Sequence, residues 1–204
     1  ALRAQVHARY GADMRGASDY TRVVNEGQYR RLRGYLDDAR ERGLQVIALA
    51  DVDDARADTE RLLPPTLILD PSDDAKAMQD EIFGPILPIL GYSSLDEAIA
   101  YVETHERPLA LYPFSRDRAT VERILSRLIA GGVTVNDTLL HFAATELPFG
   151  GIGPSGMGQY HGRAGFDAFT KAMPVLWQAR MNATDLIKPP YRGKIDRLVR
   201  WLAG

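Results

Sequence analysis

Apolar residues recur every three or four positions in several stretches of this chain and cluster in short runs in others, and that spacing predicts its elements. Tyr29, Leu32, Leu36 and Ala39 fall on one face of a helix over 25–42, with Asn25 as its cap and Gly43 as its stop. Short strands follow at 45–49 and 65–69, the second ending at the Asp70-Pro71 turn signal. The stretch 51–61 between them is acidic and polar and reads as a surface loop or hairpin. Residues 86–92 read as a buried strand. Ser94-Leu95-Asp96-Glu97 is a capping-box pattern, and Leu95, Ala98, Ile99 and Val102 stripe the helix it opens. A strand at 109–114 comes next. Val121, Ile124, Leu125 and Leu128 then stripe a second helix, Gly131-Gly132 ends it, and a further strand starts at 133–135. Strand, helix, strand, helix, strand with short connections implies an α/β fold with right-handed crossovers and a mainly parallel sheet.

The remainder is less regular. Glycines and prolines crowd 144–162, which reads as an extended loop. A long ordered loop in a compact domain is more often functional than accidental. Residues 172–178 (AMPVLWQ) read as a terminal strand. A basic, proline-broken tail from Lys188 ends in an amphipathic segment carrying Ile195, Leu198, Val199 and Leu202 on one side.

Composition narrows the chemistry. With 25 Lys+Arg against 27 Asp+Glu there is no basic excess for a nucleic-acid backbone. Cys is absent, which removes disulfides, thiolate metal sites and a cysteine nucleophile from these 204 residues. The four His show no ligand spacing, so no metal site is expected. No apolar run is long enough for a membrane span, and the tail is too short and too charged at Arg192, Lys194, Arg197 and Arg200 to be an anchor. Residues 1–6 (ALRAQV) read as the middle of an amphipathic helix without a cap or an initiator Met, so the chain reads as a piece of something longer.

Residues 151–156 match G-x-G-x-x-G, but a dinucleotide fingerprint needs a strand directly before and a helix directly after, and Pro148 and Pro154 break both. The loop therefore reads as a tight structural one. Ser155 invites a nucleophile-elbow reading, yet Met157 stands where G-x-S-x-G requires glycine, and no His and acid complete a triad. His141 and His161 flank the loop. In residues 80–85 (DEIFGP), Glu81 and Phe83 lie two apart at a Gly-Pro bend. A carboxylate can accept from two ribose hydroxyls and a ring can pack on a planar heterocycle. The plainer alternative is that Glu81 caps or pairs locally and Phe83 is core.

Taken in order, these blocks resemble a family. Residues 81–89 (EIFGPILPI), 108–112 (PLALY) with Phe114-Ser115, 131–137 (GGVTVND), 147–151 (LPFGG) and 155–158 (SGMG) are similar to blocks of the aldehyde dehydrogenase superfamily, across most of 20–178. Asn136-Asp137 with His141-Phe142, residues 158–162 (GQYHG) and 188–191 (KPPY) resemble its coniferyl-aldehyde and fatty-aldehyde class. The resemblance implies a C-terminal portion of an aldehyde-dehydrogenase catalytic domain over 1–171, an oligomerisation strand at 172–180 and a tail over 181–204. It implies a parent enzyme that oxidises aromatic (coniferyl-type) or long-chain aldehydes through a thiohemiacetal and thioester on a Cys outside this chain. The general-base Glu belongs outside it too, so the chain alone is expected to be inactive. NAD, with NADP as the alternative, is the implied cofactor. Glu81 then holds the nicotinamide ribose hydroxyls and Phe83 packs near the nicotinamide. Asn136, Leu139, His141 and Phe149 lie around the aldehyde pocket, His141 standing evenly between pocket wall and core packing. A cytoplasmic homodimer paired through 172–178 completes the expectation. The competing reading is a non-catalytic binding or assembly module that keeps the fold and the dimer strand.

Overall fold

A computed structural model describes residues 1–52, 54–181, 184, 188–191 and 193–203. The chain divides into two compact units, Ala1–Ala100 and Tyr101–Gly204.

The first unit is organised by one helix. After a helix α1 at Leu2–Tyr10, α2 runs Glu26–Glu41. The Asn25 side chain accepts from the Gln28 N–H at 2.9 Å, satisfying an orphan donor of the first turn. At the other end Gly43 takes φ +75°, its N–H reaches the Arg40 carbonyl, and the Leu44 N–H reaches Ala39. Those crossed bonds are a Schellman stop, which needs a residue at ease in the left-handed region. The predicted stripe of Tyr29, Leu32, Leu36 and Ala39 is buried, joined by Tyr35.

The stripe packs on a sheet of three strands, β1 (Gln45–Ala48), β2 (Thr66–Leu69) and β3 (Ile86–Ile89), in that spatial order. Between β1 and β2 lies α3 (Asp54–Glu60), and between β2 and β3 the single turn α4 (Lys76–Gln79). β2 is central and buried, and Ile68 with Leu63, Ala77 and Ile86 closes the core against α2. A smaller cluster gathers Met14, Ala50 and Leu62. Asp38 is a buried carboxylate on α2. It accepts from the Lys76 N–H and from Arg42, each at 3.0 Å, and those bonds, the Lys76 amide foremost, hold it below the usual carboxylate range.

Helix α5 (Leu95–Glu103) opens as the capping box predicts. Ser94 Oγ accepts from the Glu97 N–H at 3.2 Å, and the Glu97 carboxylate accepts from the Ser93 N–H at 2.7 Å. In the second unit β4 (Ala110–Leu111) and β5 (Gly132–Val133) pair in parallel and are joined through α6 (Arg118–Arg127). The Asp117 side chain caps α6 by accepting from the Ala119 and Thr120 N–H groups, both at 3.1 Å. Short helices α7 (Leu140–Ala143) and α8 (Gly162–Ala168) flank the glycine-rich loop, and α9 (Lys194–Ala203) forms the tail.

Several expectations are corrected. The stretch 51–61 is not a loop or hairpin throughout: α3 occupies Asp54–Glu60, with Ala57 buried while Asp58 and Thr59 are exposed. Asp53 lies outside the described residues. The mainly parallel pairing stands as expected, in β2–β3 and β4–β5, but it is divided between a three-stranded and a two-stranded sheet, and β1 adds to β2 antiparallel. The strand at 86–92 stops at Ile89 and is buried only at Ile86, with Leu87 half exposed. Those at 109–114 and 133–135 shrink to two-residue ladders. Residues 172–178 pair with no strand among the described residues, and Met173, Val175 and Trp177 are exposed. In the tail, Arg192 lies outside the described residues. Among the described residues no helix is long and apolar enough to cross a membrane.

Candidate functional site

The segment after α4 is shaped by two adjacent residues of α2. The Arg31 guanidinium donates from Nη1 to the Glu81 carbonyl at 3.1 Å and from Nη2 to the Ile82 carbonyl at 2.7 Å. One residue on, Phe83 sits at φ +48°, which costs a side-chain-bearing residue about 1 kcal/mol or more and persists only where the surroundings impose it. Gly84 follows, pressed on Leu32. A Cβ there would stand 2.6 Å from both Leu32 methyl carbons, so no larger residue lets the bend approach the helix this closely.

The consequence is outward projection of both predicted side chains. Phe83 is 84% exposed, which excludes the core alternative for it. Glu81 is exposed, and its carboxylate makes no hydrogen bond or ion pair among the described residues, so it neither caps nor pairs locally. Both line a cleft of about 780 Å³ with Tyr20, Arg22, Val24 and Arg31. Tyr20 donates its hydroxyl to the Leu63 carbonyl at 2.7 Å, and burial raises its phenol above the ordinary tyrosine range. A free carboxylate beside an exposed ring at a cleft mouth fits a vicinal diol joined to a flat heterocycle: the carboxylate accepts from two hydroxyls and the ring supplies a stacking face.

The second unit places the other four predicted residues. Asn136 spends its amide on the Ser115 backbone, accepting from its N–H at 2.8 Å and donating to its carbonyl at 2.9 Å, and so ties the chain just beyond β4 to the chain just beyond β5. Leu139, at φ +64°, is largely exposed. His141 is buried; Nδ1 lies 2.9 Å from Thr134 Oγ1, which also accepts from the His141 backbone N–H at 3.1 Å. Its Nε2 is buried and makes no hydrogen bond among the described residues. His141 and Phe149 rings lie 5.7 Å apart, and Phe149 continues the cluster to Phe142 and Tyr160. His141 and Phe149 are thus in ring contact, whereas the Asn136 amide is engaged with the Ser115 backbone.

The glycine loop is built on itself. Phe149 and Tyr160 exchange backbone bonds at 2.8 Å across it, and a single 3₁₀ turn occupies Gly153–Ser155. Ser155 Oγ is consumed locally, donating to the Ile152 carbonyl and accepting from the Ile152 N–H, each at 2.9 Å. A Cβ on Gly150 would collide with the Gly158 carbonyl. This is the tight structural loop that its prolines predict, with Ser155 in no position to serve as a nucleophile.

Sequence reasoning missed Arg31 and Tyr35. Both sit beside the apolar stripe of α2, and Tyr35 donates to the Asp80 carboxylate at 3.0 Å. Spacings of three and then four put Gln28, Arg31 and Tyr35 in one row on the helix, but no pattern tells which distant loop would meet them.

A probable coniferyl aldehyde dehydrogenase of Pseudomonas aeruginosa is 52% identical over 181 residues, covering 89% of this chain and 37% of the relative. The solved substrate-bound state of Staphylococcus aureus AldH matches with TM-score 0.76 and 40% identity, over 98% of this chain and 42% of that one. A Mycobacterium tuberculosis aldehyde dehydrogenase complexed with NAD+ matches with TM-score 0.70 and 25% identity, over 83% of this chain and 34% of that one. The chain thus spans about two fifths of the length of these relatives. The aldehyde dehydrogenase family profile matches residues 2–175, and with half-identical sequence over nine tenths of its length the chain belongs to that family.

Proposed function

We propose that these residues are part of an NAD(P)-dependent aldehyde dehydrogenase that oxidises aromatic, coniferyl-type or long-chain aldehydes to carboxylic acids. The observation that carries the reading is the unpaired Glu81 carboxylate beside the exposed Phe83 ring on one cleft, in a chain half identical to a probable coniferyl aldehyde dehydrogenase. The nicotinamide cofactor, when bound, supplies the acceptor for the aldehyde hydride. Glu81 holds the hydroxyls of its nicotinamide ribose, and Phe83 gives the nicotinamide a wall. Asn136, Leu139, His141 and Phe149 surround the aldehyde, with the His141–Phe149 ring cluster as an apolar support. The nucleophilic Cys, which this sequence lacks, and the general-base Glu are supplied outside these 204 residues. In this reading 1–171 contribute to the catalytic domain, 172–180 pair with a second copy, and 181–204 form the tail; the exposed Met173, Val175 and Trp177 are the support for the pairing.

The test is steady-state oxidation of coniferyl aldehyde by the full-length protein with NAD+ and with NADP+. Replacing Glu81 by Gln removes the charge that grips the ribose, and because small misplacements of reacting groups cost about a hundredfold, the rate should fall by about that factor. A Glu81→Gln enzyme as fast as the parent at low cofactor concentration would refute the assignment.

A further inference from the structure

The loop that carries Glu81 and Phe83 is not self-supporting, and the residue that holds it has no partner in the proposed chemistry. Three side chains on one side of α2, at positions 28, 31 and 35, form a chain of hydrogen bonds. Gln28 Oε1 accepts from Arg31 Nε at 2.8 Å, which fixes the plane of the guanidinium. Nη1 donates to the Tyr35 hydroxyl at 2.5 Å as well as to the Glu81 carbonyl, Nη2 donates to the Ile82 carbonyl, and the guanidinium carbon lies 5.2 Å from the Tyr35 ring centre. The Tyr35 hydroxyl in turn donates a hydrogen bond to the Asp80 carboxylate. Residues 80, 81 and 82 are therefore each gripped from α2, while Leu32, the next residue of the helix, meets the far side of the bend at Gly84. Phe83, strained at φ +48°, is pinned between those two grips.

We infer that Arg31 is a positioning residue for the cofactor: its planar fork on two successive carbonyls sets where the Glu81 carboxylate and the Phe83 ring point, although it touches neither side chain's functional atoms. The inference rests on the proposed role of Glu81 and deepens it. A fork holds both carbonyls in a fixed plane, whereas a lysine ammonium is a point charge that can hold one of them but not fix the plane. A carboxylate that must meet two hydroxyls works only within about 0.5 Å of its productive position. The clamp supplies that tolerance from a helix instead of from a loop.

The experiment is a double-mutant cycle on the full-length enzyme, reading KM for NAD+, KM for aldehyde, kcat and melting temperature. Arg31→Met should raise KM for NAD+ about tenfold, as loss of charge-assisted hydrogen bonds implies. KM for aldehyde should move less than twofold. In a Glu81→Gln background the same substitution should add little, because both act through one carboxylate. Arg31→Lys should recover part of the loss. Arg30→Met, at an exposed neighbour paired only with Glu26, should leave all four readings unchanged.

Additive effects of Arg31→Met and Glu81→Gln, or equal rises in both KM values with a lower melting temperature, would reduce Arg31 to a structural residue and overturn the inference. So would an unchanged KM for NAD+ where Glu81→Gln raises it. If Glu81→Gln itself changes nothing, the reading of Glu81 fails and the inference falls with it. Should Arg31→Met not fold, Tyr35→Phe keeps the buried ring and removes only the link to Asp80, and a rise in KM for NAD+ of about threefold is then expected; no rise overturns the inference.

Discussion

The two units handle their apolar residues in opposite ways. In the first, α2 and β2 close a core in which Leu32 and Ile68 are fully buried, with Met14 and Leu62 buried in a second cluster. In the second, Val121 and Pro113 are the buried apolar side chains among the described residues, while Phe166, Phe169, Leu176 and Trp177 stand exposed. Its order comes from elsewhere: from Asp117 capping α6, from the Asn136 grip on Ser115, and from the backbone bonds that close the glycine loop. The comparison teaches that a segment can be well ordered locally without owning a core. Where hydrophobic burial is missing, directed hydrogen bonds and close backbone contacts carry the shape.

The comparison can be broken by core truncation. Leu32→Ala should cost about 4 kcal/mol, a fully buried leucine in a tightly packed helix face, whereas Leu125→Ala, about two fifths exposed on α6, should cost under about 1 kcal/mol. Urea unfolding of the two variants measures both, and equal losses would mean that the units do not differ as described. A smaller effect probes the second unit on its own terms. Gly150→Ala drives a Cβ into the Gly158 carbonyl and should cost about 2–3 kcal/mol, with proteolysis at 150–160 reporting the opened loop.

Helix capping gives a gentler check. Asn25→Ala removes the acceptor for the Gln28 N–H and should cost about 1 kcal/mol, visible as a small drop in the urea midpoint. Acid should fail to separate the units at all. Asp38 in the first unit is held low by the Lys76 amide and Arg42, and Asp117 in the second by the Thr120 hydroxyl and the Ala119 and Thr120 amides. A carboxylate whose folded pKa lies below its unfolded value adds stability above the unfolded pKa and loses it as pH falls through the folded one. Stability should therefore be flat from pH 7 to about 5 and decline below about 4, with both units loosening together in amide exchange.

How much was readable depended on whether a pattern was local. The stripe at 29, 32, 36 and 39, the Asn25 cap and the Gly43 stop are all within one helix, and each stands as its spacing predicts. The outward placing of Glu81 and Phe83 was readable only as one of two alternatives, because a ring in a Gly-Pro bend is equally consistent with burial. What decided it is 50 residues away in sequence, at Arg31. The same limit explains α3: a polar heptamer looks like a loop until Ala57 finds an apolar surface to cover.

By itself, then, the sequence determined α2 with its cap and stop, the capped start of α5, the self-closed character of the glycine loop, and a set of ordered blocks specific enough to give the family, whereas α3 was hidden and α6 ends at Arg127, short of the expected Gly131-Gly132 stop. These follow from forces that act within a few residues: backbone hydrogen bonds, steric limits on φ, and side chains three or four apart. The tertiary structure decided which strands pair and in which direction, that Asn136 serves the backbone of Ser115, that His141 is buried on Thr134, and that Arg31 and Leu32 hold the bend at 81–84. Those outcomes depend on which distant surfaces meet. A single residue carries no record of its long-range partner, and only the packed chain fixes it.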